Sequence, residues 1–143
     1  MTEQSVGRGV DLSAAFECTM GVLRKVERHD LDKPTPCASW DVRALINHFI
    51  GTARWWAAMV AGDAGLEAAE GEDFAGGDFV AAYEESIRIA LAAFGAEGAA
   101  ERMVTAPFGV FPGAALAQFA ATDQFGHAWD LALDAGRLNE AYE

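Results

Sequence analysis

The sequence predicts an all-α protein that folds as one four-helix bundle. In four long segments apolar residues recur at the i, i+3, i+4 and i+7 spacing of a helix face, and stretches rich in proline, glycine or acidic residues separate these segments. A chain of 143 residues has room for one domain with a hydrophobic core. Hydrophobic residues make up 52% of the chain, which favours a packed protein over a disordered one.

The first helix is predicted to follow a short N-terminal segment. Residues 1–10 are expected to be a flexible lead-in, and residues 11–143 to form the folded domain. The helix begins at Asp11, and either Asp11 or Ser13 can act as its N-cap. His29 is expected at the end of this helix, where a positive charge complements the helix dipole. The apolar face is formed by Leu12, Phe16, Leu23 and Val26.

The second helix is predicted to follow the stretch HDLDKPTPCASW, because its prolines cannot continue a helix. Ser39 is the expected N-cap, and Asp41 is favourable in the first turn. The helix is expected to run to about Ala61 and to end at Gly62.

The third and fourth helices are predicted on either side of a turn-rich connection. An acidic loop, GDAGLEAAEGEDFAGG, comes first, and Asp78 can then cap the third helix. The connection TAPFGVFPG follows, and the fourth helix is expected from about Ala114 to Ala135, where Gly136 closes it. The apolar stripe of the third helix consists of Phe79, Tyr83, Ile87, Leu91 and Phe94.

Charge and composition argue against several classes of protein. The formal net charge is −12 and the pI is about 4.5, so a nucleic acid or an anionic membrane would be repelled. No apolar run is long enough for a membrane span, and the first residues contain no signal-peptide core. Two cysteines, Cys18 and Cys37, do not make a disulfide framework. We therefore expect a cytoplasmic protein.

Three polar side chains are predicted to meet in the core. On the second helix, His48 lies within the broad apolar arc. On the fourth helix, Asp123 and His127 are four residues apart and share a face that points inward. A buried carboxylate is costly unless it is paired or bound to a metal. The residues leave two alternatives open, a metal site between two helices or a buried hydrogen-bond network.

The types of ligand indicate which metal such a site would hold. Two imidazoles and one carboxylate suit Zn²⁺, Fe²⁺ or Ni²⁺ better than Ca²⁺ or Mg²⁺, which prefer oxygen ligands. Zinc is the first choice, with nickel or iron as alternatives. Three protein ligands leave one position open for water or substrate, as in catalytic zinc sites.

Other side chains near the three candidate ligands have two interpretations each. Arg43 and Asp130 could form an ion pair that ties the second helix to the fourth and orients the ligands, or they could be two solvated charges. We favour the ion pair. The tryptophans could form an aromatic wall for a substrate, although core packing is their commoner role. They are Trp40, Trp55, Trp56 and Trp129.

Three stretches of the sequence together resemble a known family. They are TPCASWDVRALINHF, TAPFGVFPG and TDQFGHAWDLALDAGR, and they follow one another with spacings typical of that family. The chain resembles the actinobacterial metal-binding proteins of the DinB/YfiT-like superfamily. Within that superfamily it is most similar to the mycothiol-dependent maleylpyruvate isomerase N-terminal domain, and the resemblance covers nearly the whole chain.

The resemblance implies a DinB-like metal-binding domain in which His48, Asp123 and His127 hold a divalent metal. It also implies thiol-dependent transfer or isomerisation, with a low-molecular-weight thiol such as mycothiol as cosubstrate and a small electrophile as substrate. A metal-bound thiol or water would be the nucleophile, so no side chain is assigned a catalytic role. Relatives continue well past the GR of DAGR and the isomerase adds a second domain, so maleylpyruvate isomerisation itself is not carried over.

Three functions are therefore considered. We favour a metal-dependent S-transferase or isomerase with small-molecule partners and neither a nucleic-acid nor a membrane partner. The second is a non-catalytic metal-binding or ligand-sensing module, dimeric through an exposed helix face. The third is a metal-free bundle in which the three polar residues form only a hydrogen-bond network.

Overall fold

The computed structural model describes residues 11–35, 40–62 and 73–140, with side chains up to residue 132. Within these ranges the four α-helices are α1 (Leu12–Leu23), α2 (Val42–Ala61), α3 (Phe79–Gly95) and α4 (Gly113–Glu140). An antiparallel hairpin, β1 (Met103–Ala106) and β2 (Gly109–Pro112), connects α3 to α4. The predicted all-α class is confirmed, with this hairpin as a small addition. The predicted lead-in over residues 1–10 lies outside the described residues.

The four helices surround one shared core. α1 packs against α4, α4 against α2, α2 against α3, and α3 against α1. α1 and α2 therefore occupy opposite corners of the bundle. None of the described helices is both long and apolar enough to cross a membrane. The largest fully buried apolar side chains include Phe16, Leu23, Leu45, Ile46, Phe49, Ile50, Leu116 and Leu131.

The ends of α2 and the start of α3 follow from their capping residues. Asp41 is the N-cap of α2 and accepts a hydrogen bond from a backbone N–H of the first turn, so the prediction of Ser39 as N-cap is wrong. Ser39 itself lies outside the described residues. Gly62 has a φ of 74° and ends α2 as predicted. Asp78 caps α3 as predicted.

The ends of α1 and α4 differ from the prediction. Asp11 is at the N-cap position of α1, without a side-chain capping bond, and α1 ends at Leu23. His29 therefore lies beyond the helix, in a short 3₁₀ turn, with an exposed side chain beside two acidic residues. α4 continues through Gly136 to Glu140, because a glycine lowers helix propensity by about 1 kcal/mol without itself ending a helix.

The third connection is a β-hairpin, where the sequence predicts only turns. Ala106 pairs with Gly109, so the loop consists of Pro107 and Phe108. Proline at the first loop position favours a tight turn, because its ring holds φ near the value required there. Gly109 has a φ of 140°, which side chains rarely allow. The hairpin was missed because each strand has only four residues, too few for a period of two to stand out.

The polar side of α2 holds α3 and the 3₁₀ turn that precedes it. The Asn47 side chain accepts from the backbone N–H of Ala75 at 2.8 Å and donates to Asp73 at 2.9 Å. Two helical turns after Asn47, Arg54 donates from Nε to the Ser86 hydroxyl of α3 at 2.7 Å. These side chains therefore have structural partners on neighbouring elements.

A buried glutamine links all four helices. Gln124 of α4 is fully buried, and its Oε1 accepts from the Tyr83 hydroxyl of α3 at 2.5 Å. Its Nε2 donates to the Phe49 carbonyl and the Thr52 hydroxyl of α2, both at 3.3 Å. The Thr19 hydroxyl of α1 donates to the Gln124 backbone carbonyl at 3.3 Å. Burial raises the pKa of Tyr83 well above its ordinary value, so the hydroxyl keeps its proton.

We predict that Gln124→Ala lowers the free energy of unfolding by about 1–3 kcal/mol, because the Tyr83 hydroxyl would lose its partner in the core. Urea denaturation measures the change. Gln118→Ala is the control, since Gln118 lies on the same helix and is partly exposed. It should cost no more than about 0.5 kcal/mol. Equal losses in the two variants would contradict the structural role of Gln124.

A second buried polar group, Asp30, stabilises the chain between α1 and α2. One carboxylate oxygen accepts from the Glu27 backbone N–H and the other from the Lys33 ammonium, both at 2.9 Å. Burial alone would raise the pKa of Asp30, but the hydrogen bonds from Glu27 and Lys33 and the charges of Lys33 and His29 lower it further than burial raises it. The net pKa is below its ordinary value.

We predict that Asp30 contributes to the loss of stability in acid. Because its pKa is lower in the folded protein than in the unfolded chain, its contribution is complete above about pH 4 and is lost as pH falls through the folded pKa. Asp30→Asn should flatten the decline of the unfolding free energy below about pH 4, measured by urea denaturation at several pH values. The exposed neighbour Asp32 gives the control Asp32→Asn. An unchanged acid profile in Asp30→Asn would refute the prediction.

Candidate functional site

The three predicted site residues lie along the seam between α2 and α4. The ring centroids of His48 and His127 are 4.6 Å apart, with an interplanar angle of 85°. Further along α2, Trp56 donates from Nε1 to Oδ2 of Asp123 at 3.3 Å. Rising residue numbers on α2 thus meet falling numbers on α4, so the two helices are antiparallel. This direction places His48 opposite the Asp123–His127 pair.

The contact between Asp123 and His127 is close but incomplete. Nε2 of His127 lies 3.2 Å from Oδ1 of Asp123, within ion-pair distance. The two groups are not aligned for a hydrogen bond, and both ring nitrogens of His127 are buried without a hydrogen-bond partner in the described structure. The His127 side chain is 15% exposed and that of Asp123 is 29% exposed. The pair therefore lies at the edge of the core.

Electrostatics keep Asp123 ionised. Burial alone would raise the pKa of Asp123, but nearby His127, the Trp56 N–H and His48 lower it further than burial raises it. The net pKa is below the ordinary value of an aspartate. At neutral pH, Asp123 is therefore a carboxylate that can accept hydrogen bonds or bind a cation.

The donor atoms suit a divalent transition metal in type. Two imidazoles and an ionised carboxylate are ligands of such metals, and the unsatisfied nitrogens of His127 are free to bind one. In the described part of the chain, no three His, Cys, Asp or Glu side chains are placed so that they could hold one ion together. The site therefore fits a metal by its chemistry, while the positions shown bring His127 only into pairwise contact with Asp123 and with His48.

The tryptophans have different positions relative to the site. The Trp40 ring packs on His48, with centroids 4.4 Å apart. Trp56 is buried and reaches Asp123, and Trp55 packs against it with centroids 5.0 Å apart. Trp129 is exposed to solvent. Two of the four tryptophans, Trp40 and Trp56, thus contact the candidate ligands directly.

The carboxylate that contacts Arg43 is Asp73 and not the one expected. Nη1 of Arg43 lies 2.7 Å from Oδ2 of Asp73, and both side chains are exposed, so the pair contributes little to stability. An ion pair of Arg43 with Asp130 is what the sequence favours, because both are close in sequence to the candidate ligands. Sequence proximity did not reveal the 3₁₀ turn that carries Asp73 to the start of α2. Cys37 lies outside the described residues, and Cys18 is exposed on α1.

Sequence reasoning missed an aromatic cluster that continues the site at the hairpin. Trp56 and Phe108 have ring centroids 6.0 Å apart, and Phe108 lies 5.7 Å from Phe119. Phe111 packs on Phe119 at 5.1 Å. The signal that could have found it is the spacing on α4, since Phe119 is four residues before Asp123. We call these residues the hairpin aromatic cluster: Trp56, Phe108, Phe111 and Phe119.

Comparison with known proteins assigns the chain to a family. The family described as mycothiol maleylpyruvate isomerase N-terminal domain matches residues 12–132, which include all three candidate ligands. Two curated relatives, uncharacterized proteins of Mycobacterium tuberculosis strains CDC 1551 / Oshkosh and ATCC 25618 / H37Rv, are each 30% identical over 130 residues, or 88% of this chain. The chain spans 66% of the length of each, just under two thirds. No solved structure gives a significant match. The chain therefore belongs to the mycothiol maleylpyruvate isomerase N-terminal domain family.

Proposed function

We propose that the protein is a metal- and thiol-dependent S-transferase or isomerase acting on a small electrophile. The observation that carries this proposal is His127, whose two ring nitrogens are buried and unsatisfied beside the ionised Asp123 and opposite His48. A buried polar group without a partner costs about 1–3 kcal/mol, so its presence calls for an explanation. A bound ion would satisfy one of the two nitrogens.

His48, Asp123 and His127 would hold the ion, with zinc as the first choice and nickel or iron as alternatives. Bound there, the ion would bind a low-molecular-weight thiol and lower its pKa, so that the thiolate predominates. Trp56 orients the Asp123 carboxylate by a hydrogen bond to one oxygen, while the other oxygen faces His127. The Trp40 ring packs against the His48 ring at a tilt of 45° and would limit the access of water on that side.

The proposed reaction forms one carbon–sulfur bond. The thiol loses its proton to solvent, and the sulfur electron pair attacks an electrophilic carbon. In an addition to a double bond, the electron pair of the broken π bond moves to the neighbouring carbon, which then takes a proton from water. In a substitution, the leaving group departs with its bonding pair. In an isomerisation, the thiolate adds, the former double bond rotates, and the thiolate leaves again.

Family membership supports the choice of thiol. The family is named for a mycothiol enzyme, so mycothiol or a similar thiol is the proposed cosubstrate. Maleylpyruvate is not proposed as the substrate, because the chain spans 66% of its curated relatives and those relatives are uncharacterized.

A second function is favoured by the contacts of Asp123. The carboxylate already accepts a hydrogen bond from Trp56 and lies within ion-pair distance of His127, and the three candidate ligands are not gathered around one point. This arrangement suits a non-catalytic module that binds a metal or another ligand without turnover. It would bind the ion but consume no thiol.

We predict near-stoichiometric zinc, nickel or iron in the purified protein, measured by elemental analysis. His48→Ala and His127→Ala should each lose the metal, because each removes one of three ligands. His29→Ala is the matched control, since the His29 side chain is exposed and away from the seam. No metal in the wild type, even after metal is added back, would exclude the metal-dependent function and leave a hydrogen-bond network.

We further predict that the metal-loaded protein consumes mycothiol in the presence of 1-chloro-2,4-dinitrobenzene, with release of chloride. Asp123→Asn should lower the rate at least about tenfold, because the altered ligand weakens or misorients the site. Asp32→Asn, an equivalent change at an exposed position, should leave the rate unchanged. Metal binding without thiol consumption, with this electrophile, an activated alkene or an epoxide, would favour the non-catalytic module.

A further inference from the structure

The hairpin aromatic cluster extends the candidate site towards solvent. Trp56 belongs to both, because its indole N–H reaches Asp123 while its ring packs near Phe108. Phe119 shares the same face of α4 as Asp123, one turn away. A continuous apolar wall therefore runs from the Asp123 carboxylate to the tip of the hairpin.

The outer part of this wall is open. Phe108 is 50% exposed and Phe119 is 38% exposed. The hairpin register places Phe108 in the two-residue loop, so its ring lies at the turn of the hairpin. Large rings that are half-exposed, mutually packed and continuous with a polar site are typical of a binding surface.

The charges around α2 bear on the kind of molecule that such a wall could bind. Three arginines, two on α2 and one beside its last turn, already have protein partners. Arg43 pairs with Asp73, Arg54 bonds to Ser86, and Arg102 donates to the Val60 carbonyl. The net charge of the chain is −12. A dicarboxylate would have to displace one of these contacts against a repulsive field.

We propose that the hairpin aromatic cluster is the binding subsite for the electrophile, and that the electrophile is an uncharged molecule with a planar aromatic ring. Such a ring packs edge-to-face or offset against Phe108 and Phe119 and leaves its reactive carbon directed along the wall to Asp123. This inference rests on the proposed function for its chemistry. The binding event itself needs neither thiol nor turnover.

The test measures binding alone. The probe is 1,3-dinitrobenzene, which has no leaving group, titrated against the metal-loaded full chain by saturation-transfer NMR, with maleate as the dianionic comparison. We expect saturable binding of dinitrobenzene and none of maleate. Phe108→Ala should weaken dinitrobenzene binding about tenfold, and Phe108→Leu should also weaken it because the ring is lost. Circular dichroism checks that both variants fold.

The matched control is Val110→Ala. Val110 is 57% exposed on the same hairpin, where it pairs with exposed Thr105 on the outer face. Its truncation should leave the affinity unchanged. Tighter binding of maleate than of dinitrobenzene, or equal effects of Phe108→Ala and Val110→Ala, would overturn the subsite.

A parallel sedimentation measurement tests the cluster as a self-association surface. If Phe108→Ala converts a dimer to a monomer without changing dinitrobenzene affinity, the subsite is likewise refuted. Thiol consumption is scored separately, so the two proposals can fail independently. Dinitrobenzene binding without thiol consumption refutes only the proposed function, and thiol consumption that prefers dicarboxylates refutes only the subsite.

Discussion

The hydrogen bonds of Gln124 are the constraint on which the rest of the bundle depends. A fully buried side-chain amide needs partners for both its oxygen and its nitrogen, and these come from Tyr83 on α3 and from Phe49 and Thr52 on α2. These hydrogen bonds can all form at only one rotation and one axial position of α4. Because Asp123 is adjacent to Gln124 on α4, the same helix rotation also directs Asp123 and His127 towards α2.

The candidate site lies beside this well-satisfied network and contrasts with it. Gln124 has a partner for each polar atom of its side chain, whereas both ring nitrogens of His127 have none in the described structure. The two residues are only three positions apart on α4, so the contrast marks His127 as the side chain of this region on which the proposed ligand site depends. Asp123 is held between the two by Trp56. The proposed site thus combines a supported carboxylate with an imidazole whose nitrogens have no hydrogen-bond partner.

The hairpin links the end of the bundle to the site. Arg102 anchors it to the last turn of α2 through the Val60 carbonyl, and Gly113 begins α4 in close contact with the Ala99 backbone, where a side chain would not fit. The two anchors hold Phe108 against Trp56. The proposed contacts of the electrophile thus lie on a short loop that two anchors hold against the seam between α2 and α4.

Local sequence determined the helices, several of their ends, and which residues would share a helix face. Asp78 and Gly62 act on neighbouring backbone groups, so their roles could be read directly, and the grouping of His48 with the α4 pair followed from helix periodicity and bundle topology. Tertiary structure alone decided the partners, such as Asp73 for Arg43. Those contacts depend on the rotation and axial offset of elements far apart in the chain, which local spacing does not encode.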